Sequence, residues 1–237
     1  MRLDVLAIAA HPDDIEITCG GFLIRMADMG KKTGILDLTE GEMGTLGTPA
    51  DRRREAEDAG RIMGLAVREN LHLPDSELEP LLEYKKKIAA VIRKYKPQTV
   101  ILPYQQGQRH PDHRMASVLG YDACYLAGLA KSKIGGEPHR PHKILYANFF
   151  INTAYSFLVD ITEQMERKKQ AVAAYHSQFD VPGLSNQVFR PGTNIFELLE
   201  TVHRWYGIRA GCRYAEPFSI TEPVVLDDPT TQVPRSI

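Results

Sequence analysis

The sequence is poor in most of the features that would place it in a special class. Its three cysteines, Cys19, Cys124 and Cys212, are far apart and form no Cys-x-x-Cys pair, which excludes a disulfide scaffold and a thiolate zinc site. Metal chemistry, if present, must use imidazoles and carboxylates. Neither charge is in excess: 29 basic residues against 30 acidic leave a formal charge of -1. There is thus no overall positive field to hold phosphates, and nucleic acid is not expected as a partner. No apolar run is long enough for a membrane span, and the one at Leu3 to Ala9 is too short for a signal peptide. The expectation is a cytoplasmic protein without a membrane partner. Neither GxGxxG nor GxxxxGK[ST] occurs, so nucleotide binding has little support, and no repeat or low-complexity tract is present. What is there is an ordinary globular composition, 43% hydrophobic and 25% charged over 237 residues. It can bury a full core, which excludes disorder and collagen. No boundary signal divides the chain. A single domain over residues 1–237 is expected, with an irregular tail after about residue 218.

The apolar pattern alternates between short buried runs and helical periodicity. Leu3 to Ala9 reads as a strand buried on both faces. From Gly20 to Met29 the residues Phe22, Leu23, Met26 and Met29 recur at helical spacing before Gly30. Thr33 to Leu38 reads as a second strand. Pro49 to Leu65 follows as a helix with proline at its start and Gly64 near its end. Val67 to Leu71, Tyr84 to Lys94 and Thr99 to Leu102 continue as strand, helix, strand, and Asp112 to Leu129 is a long helix. Lys143 to Phe150 and Phe157 to Val159 suggest further strands at an antiparallel edge, and Glu163 to Ala174 and Ile195 to Tyr206 the last two helices. Segments 128–141 and 176–192 read as loops. Such alternation implies an α/β fold with a mainly parallel sheet covered by helices on both faces.

In an open parallel sheet the ligand sits beyond the carboxyl ends of the strands. Two tetrapeptides stand there: His11-Pro12-Asp13-Asp14 after the first strand, and His110-Pro111-Asp112-His113 after the fourth. A hydrolytic zinc site needs three protein ligands and an open position, commonly two imidazoles and one carboxylate. His11, Asp14 and His113 fit that set. Zinc lowers the pKa of its bound water to about 7 and polarises a carbonyl. Asp13, left free beside a ligand, is the candidate general base. His110 is a candidate donor to the oxyanion, with Asp112 as the partner that holds its imidazole oriented and charged. Either tetrapeptide alone reads more readily as helix-start chemistry, with aspartate as N-cap and proline in the first turn. Their joint occurrence at two strand ends is what points to a metal site.

With these motifs the chain resembles the LmbE-like, PIG-L-related N-acetylglucosaminyl deacetylases. Further segments are similar to the bacillithiol-biosynthesis branch: Thr39-Glu40-Gly41-Glu42 with Gly47-Thr48 and Arg52, Asn70-Leu71 with Pro74-Asp75, Ala174-Tyr175 with Ser177-Gln178-Phe179, and Tyr214-Ala215-Glu216 with Phe218. The resemblance implies a Rossmann-like three-layer fold, one zinc or another divalent ion such as iron, and removal of acetate from an N-acetylglucosaminyl conjugate, N-acetylglucosaminyl malate in that branch. It also implies a homo-oligomer such as a hexamer. By motif position Arg52 would reach a substrate anion, Asp75 would contact sugar hydroxyls, and Arg109 would join them at the substrate. Arg52 to Arg54 alternate with Glu55, Glu57 and Asp58, however, a pattern that also describes a solvated helix face. Two departures stand out. Tyr104 to Arg109 holds no acidic residue where the family is acidic, and Pro217 replaces a glycine. Other readings of the same residues are deacetylation of a chito-oligosaccharide or another N-acetylglucosamine conjugate, a nonhaem iron oxygenase built on the two-histidine, one-carboxylate set, and a non-catalytic sugar-binding module.

Overall fold

A computed structural model describes residues 1–104, 110–150, 153–179, 194–225 and 227. Among the described residues the elements are β1 (Val5–Ala9), α1 (Asp14–Asp28), β2 (Thr33–Thr39), α2 (Pro49–Met63), β3 (Val67–Leu73), α3 (Leu82–Tyr95) and β4 (Thr99–Pro103). They continue with α4 (Pro111–Ala127), β5 (Lys143–Ala147), β6 (Phe157–Asp160), α5 (Met165–Ala173), α6 (His176–Phe179), α7 (Ile195–Ala210) and β7 (Ala215–Ser219). The seven strands form one sheet in the order β3-β2-β1-β4-β5-β7-β6. The first five are mutually parallel, and β7 runs antiparallel between β5 and β6. This is the expected mixed α/β, Rossmann-like three-layer architecture. No helix among the described residues is long and apolar enough to cross a membrane.

Strand alternation assigns the two faces. Leu6 and Ile8 of β1 join a core with α3 and α4, while Val5, Ala7 and Ala9 join one with α1, α2 and α5. Because β1 is covered on both sides, all five of its residues are buried, which is why it reads as a continuous apolar run. A third cluster packs α7 against α5 and the β6–β7 edge. The order reverses between β1 and β4, since β2 and β3 lie on one side of β1 and β4 and β5 on the other. That switch point opens a crevice at the strand ends, directly beside both tetrapeptides.

Three features differ from the sequence reading. α1 begins at Asp14, six residues before Gly20, and is kinked at Cys19, whose φ of -139° and ψ of 23° are not helical. Residues 176–179, inside a segment expected to be loop, make one helical turn. Ala215–Ser219 is a buried strand that pairs on both sides, although Pro217 argues against a central strand. Proline is tolerated there because its carbonyl still accepts from the Asn148 amide at 3.3 Å, while the pairing with β5 covers only two residues.

Candidate metal centre and active site

The chain leaves β1 and turns at Asp13, whose φ of 104° is in the left-handed region that non-glycine residues seldom occupy. This turn sends two adjacent carboxylates in different directions. Asp14 folds back to accept the His11 amide at 3.0 Å. Asp13 points toward Arg52, whose Nη1 lies 2.9 Å from its Oδ2. From the far side of the switch point, Pro111 starts α4 and His110 caps it: His110 Nδ1 accepts from the Asp112 amide at 3.2 Å. One turn into the helix, His113 comes back over the crevice.

His11, Asp14 and His113 meet there. His11 Nδ1 is 3.3 Å from His113 Nε2 and 3.5 Å from Asp14 Oδ2, and His113 Nε2 is 3.0 Å from Asp14 Oδ1. Donor atoms about 2.1 Å from a shared tetrahedral ion lie about 3.4 Å apart, so the set fits zinc or a similar divalent cation. His110 also brings a donor atom within 4.8 Å of those of His11 and His113. Its Nδ1, however, is spent on the helix cap. The opposite nitrogen of His11 is held too: Nε2 contacts Asp75 Oδ1 at 2.9 Å, the carboxylate–imidazole arrangement that fixes the tautomer of a metal ligand.

Local charge sorts the groups further. Burial opposes the charge on His11, yet the carboxylates of Asp112, Asp14 and Asp75 hold its imidazole well above the usual range. His113 is raised likewise, against burial, by Asp14. Asp14 is held well below the ordinary carboxylate range against its burial by His113 and His11. Asp13 is the exception. Burial lifts its carboxyl to about 6, with Arg52 and His11 holding it down and Asp14 and Glu16 pushing it up. His110 is lowered by burial and by the neighbouring His11 and His113. A neutral His110 whose Nδ1 accepts must carry its proton on Nε2, which leaves a donor for a developing oxyanion.

Several expectations change at this point. Asp112 does not hold His110 charged. Its carboxylate accepts from the Ser76 amide at 2.7 Å and lies 3.7 Å from His11 Nε2, while its backbone amide donates to His110 Nδ1. Asp75, expected at sugar hydroxyls, has both oxygens engaged, one by His11 and the other by the Met43 amide at 2.9 Å. Arg52 is no solvated residue: it is 7% exposed, whereas the side chains of Arg53 and Arg54 are 60% and 70% exposed. Its guanidinium donates to the Pro12 carbonyl at 2.7 Å, to Asp13, and to Gln178 Oε1 at 2.7 Å. Arg109 lies outside the described residues.

Two positioning groups were not read from the sequence. Gln178 links Arg52 to the loop after β2 by donating to the Leu46 carbonyl at 2.7 Å. Glu55 fixes the start of α6 by accepting the Ser177 amide and hydroxyl at 2.7 and 2.8 Å. The triplet Ser177-Gln178-Phe179 was visible, but no chemistry attached to it. A cavity of about 620 Å³ lies over the whole arrangement, bounded by the 41–46 loop on one side and by Phe149, Phe150 and Leu198 on the other.

The family model described as GlcNAc-PI de-N-acetylase, PIG-L, matches residues 6–124, which span both tetrapeptides. The chain is 34% identical over 225 residues to a diacetylchitobiose deacetylase of Thermococcus kodakarensis, covering 90% of this chain and 80% of that protein. It is 30% identical over 125 residues to a probable N-acetyl-alpha-D-glucosaminyl L-malate deacetylase 2 of Bacillus cereus, covering 48% of this chain and 57% of that protein. Among solved structures, the conserved protein TT1542 from Thermus thermophilus superposes with a TM-score of 0.86 at 40% identity, covering 98% of this chain and 100% of that one. The chain belongs to the PIG-L, LmbE-like family of deacetylases.

Proposed function

We propose that this protein hydrolyses the acetamide of an N-acetylglucosamine unit in a neutral conjugate of the chito-oligosaccharide kind, releasing acetate and a free amine. His11 Nδ1, Asp14 and His113 Nε2 would hold one divalent ion, zinc being the simplest match to two imidazoles and a carboxylate. Such an ion would make water nucleophilic at neutral pH and polarise the acetyl carbonyl. Asp13 accepts the proton of the attacking water on its carboxylate, which Arg52 holds in place, and returns it to the departing nitrogen as the C–N bond breaks. His110 Nε2–H donates to the acetyl oxygen as that atom gains negative charge. Asp75 keeps His11 in the tautomer whose Nδ1 faces the ligand set.

The observation that carries this reading is the convergence of His11, His113 and Asp14, the two imidazole nitrogens 3.3 Å apart and each within 3.5 Å of one oxygen of the Asp14 carboxylate, beside a fourth group, Asp13, that is not among them. A neutral conjugate is favoured because Arg52, the expected reader of a substrate anion, already serves Asp13, Pro12 and Gln178. One observation favours the malate conjugate of bacillithiol biosynthesis as a second reading: Arg52 lines the cavity and its Nε is buried without a partner, an unsatisfied donor of the kind an anionic ligand would complete. The test is acetate release by the zinc-loaded protein from N-acetylglucosamine, its malate conjugate, its inositol conjugate and diacetylchitobiose. Diacetylchitobiose is expected to be the best of the four. A faster malate conjugate would select the second reading, and no acetate from any of them with zinc, cobalt or iron would overturn both.

A further inference from the structure

The chain from the end of β2 into its loop reads Thr39-Glu40-Gly41-Glu42, and neither the ligand set nor the base gives it a role. Its start is fixed beside the first tetrapeptide. Thr39 is fully buried, and its amide and hydroxyl both donate to the Ala10 carbonyl at 2.9 Å. The Gly41 amide donates to Thr39 Oγ1 at 3.2 Å, and Gly41 turns the chain with a φ of 68°. Met43, Gly44, Thr45 and Leu46 then line the cavity. Glu42 is not among its walls and spends its carboxylate on the segment after β3, where Oε1 accepts the Asp75 amide at 2.7 Å. The bond is returned: the Met43 amide donates to Asp75 Oδ2 at 2.9 Å. One residue on, Ser76 has a φ of 65°, and its amide donates to Asp112 of α4 at 2.7 Å. Two consecutive amides of this turn are thus anchored on carboxylates from two different parts of the chain.

The amide and both carboxylate oxygens of Asp75 are all engaged, the amide by Glu42, Oδ2 by Met43 and Oδ1 by His11 Nε2. Only the last of these contacts reaches the ligand set; the other two decide where Asp75 Oδ1 points. A backbone amide bound to a carboxylate makes a charge-assisted bond, stronger than one to a neutral acceptor. Glu42 itself is exposed, and substitution of an exposed loop residue ordinarily changes little, so an effect on metal affinity would be specific to that bond.

We propose that Glu42 is a positioning residue of the metal centre: it holds the Asp75 backbone, Asp75 fixes the orientation and tautomer of His11, and His11 presents Nδ1 to the ligand set. This role rests on the assignment of His11, Asp14 and His113 as ligands.

Zinc affinity of the full chain, measured by competition with a chromogenic chelator, tests it in the wild type, Glu42→Gln, Glu42→Ala, Asp75→Asn, the double variant Glu42→Ala/Asp75→Asn, and His113→Ala. Glu42→Ala is expected to bind zinc about three- to tenfold more weakly, the cost of one hydrogen bond, and Glu42→Gln, whose amide oxygen still accepts, within about twofold of wild type. Beside Asp75→Asn the alanine substitution is expected to cost less than about twofold, because the carboxylate it served to aim is gone. Wild-type affinity in Glu42→Ala, an equal loss in Glu42→Gln, or an undiminished loss beside Asp75→Asn would overturn the role. If instead the wild type holds no zinc, or His113→Ala holds it as tightly, the ligand assignment fails and Glu42 loses its role with it, a result the Glu42 variants alone cannot produce.

Discussion

Asp13 and Asp14 are adjacent and chemically identical, and the backbone turn between them gives them opposite electrostatic states. Asp14 faces two imidazoles and is held ionised, while Asp13 is buried against a single guanidinium and lifted to about 6. A base must be ionised to take a proton, so acetate release should fall about tenfold per unit as pH drops below about 6, and level off above it. In Asp13→Ala, turnover should drop by about 10²- to 10⁴-fold with metal content unchanged, read by acetate release and elemental analysis together. An active variant, or one that has lost its metal, removes the base from the mechanism. Asp75 makes a different prediction. Its carboxyl is depressed to about 2, against burial, by its contact with His11, and it is placed to orient a ligand. Asp75→Asn should weaken zinc affinity about 10- to 100-fold, measured by competition with a chromogenic chelator; unchanged affinity would return Asp75 to the role of a sugar contact.

The elements show a second device, inside α1. At the Cys19 kink the amides of Gly21 and Phe22 donate to the two oxygens of Glu216, at 2.9 and 2.6 Å. The same carboxylate pairs with Lys168 of α5, and both side chains are 0% exposed. Glu216 thus caps the second half of α1 from β7. Glu216→Ala would strand a buried ammonium and two amides, and should lower stability by about 3–5 kcal/mol in urea unfolding. The double variant Lys168→Met/Glu216→Gln should recover part of the loss, since it removes the unpaired charge. A single variant within about 1 kcal/mol of wild type would mean the pair is dispensable. The same residues explain what the sequence hid. β1 and β4 were legible because both of their faces are apolar, and β2 because Ile35, Leu36 and Leu38 make a short apolar run. The first turn of α1 was not, because Glu16 is fully buried in an ionic group with Arg68 and Tyr175, which breaks the helical period. β7 was masked by Glu216 and Pro217, a buried charge and a missing donor in the middle of a strand.

For the molecule as a whole, the site exists because the strand order reverses between β1 and β4, which brings residues about a hundred positions apart to one crevice. The ligand set was legible because each half is a contiguous tetrapeptide following a strand. Its support was not: Asp75, Gln178 and Glu55 act through single contacts between elements, and no local spacing marks them. Metal binding should therefore be tied to the stability of the whole fold. At a free zinc concentration about a hundred times the dissociation constant, the native state gains about 2.7 kcal/mol, or a rise of about 5–10 °C in Tm. His113→Ala should lack the rise. Because His11 and His113 are held above their usual pKa in the ion-free protein, zinc must displace protons, and the gain should be smaller at pH 5 than at pH 7.5. Scanning calorimetry with and without a chelator checks both. An equal gain at the two pH values would exclude the imidazoles as ligands.

The bond from Gly21 to Glu216 joins positions 195 residues apart. An early helix that begins at Asp14, with Asp13 as its N-cap, is thus locked only once a distant strand has slid between two others. Loops of that length close slowly relative to local contacts. Refolding should accordingly recover helical content well before it recovers the capacity to hold zinc, with the final strand acting as the latch.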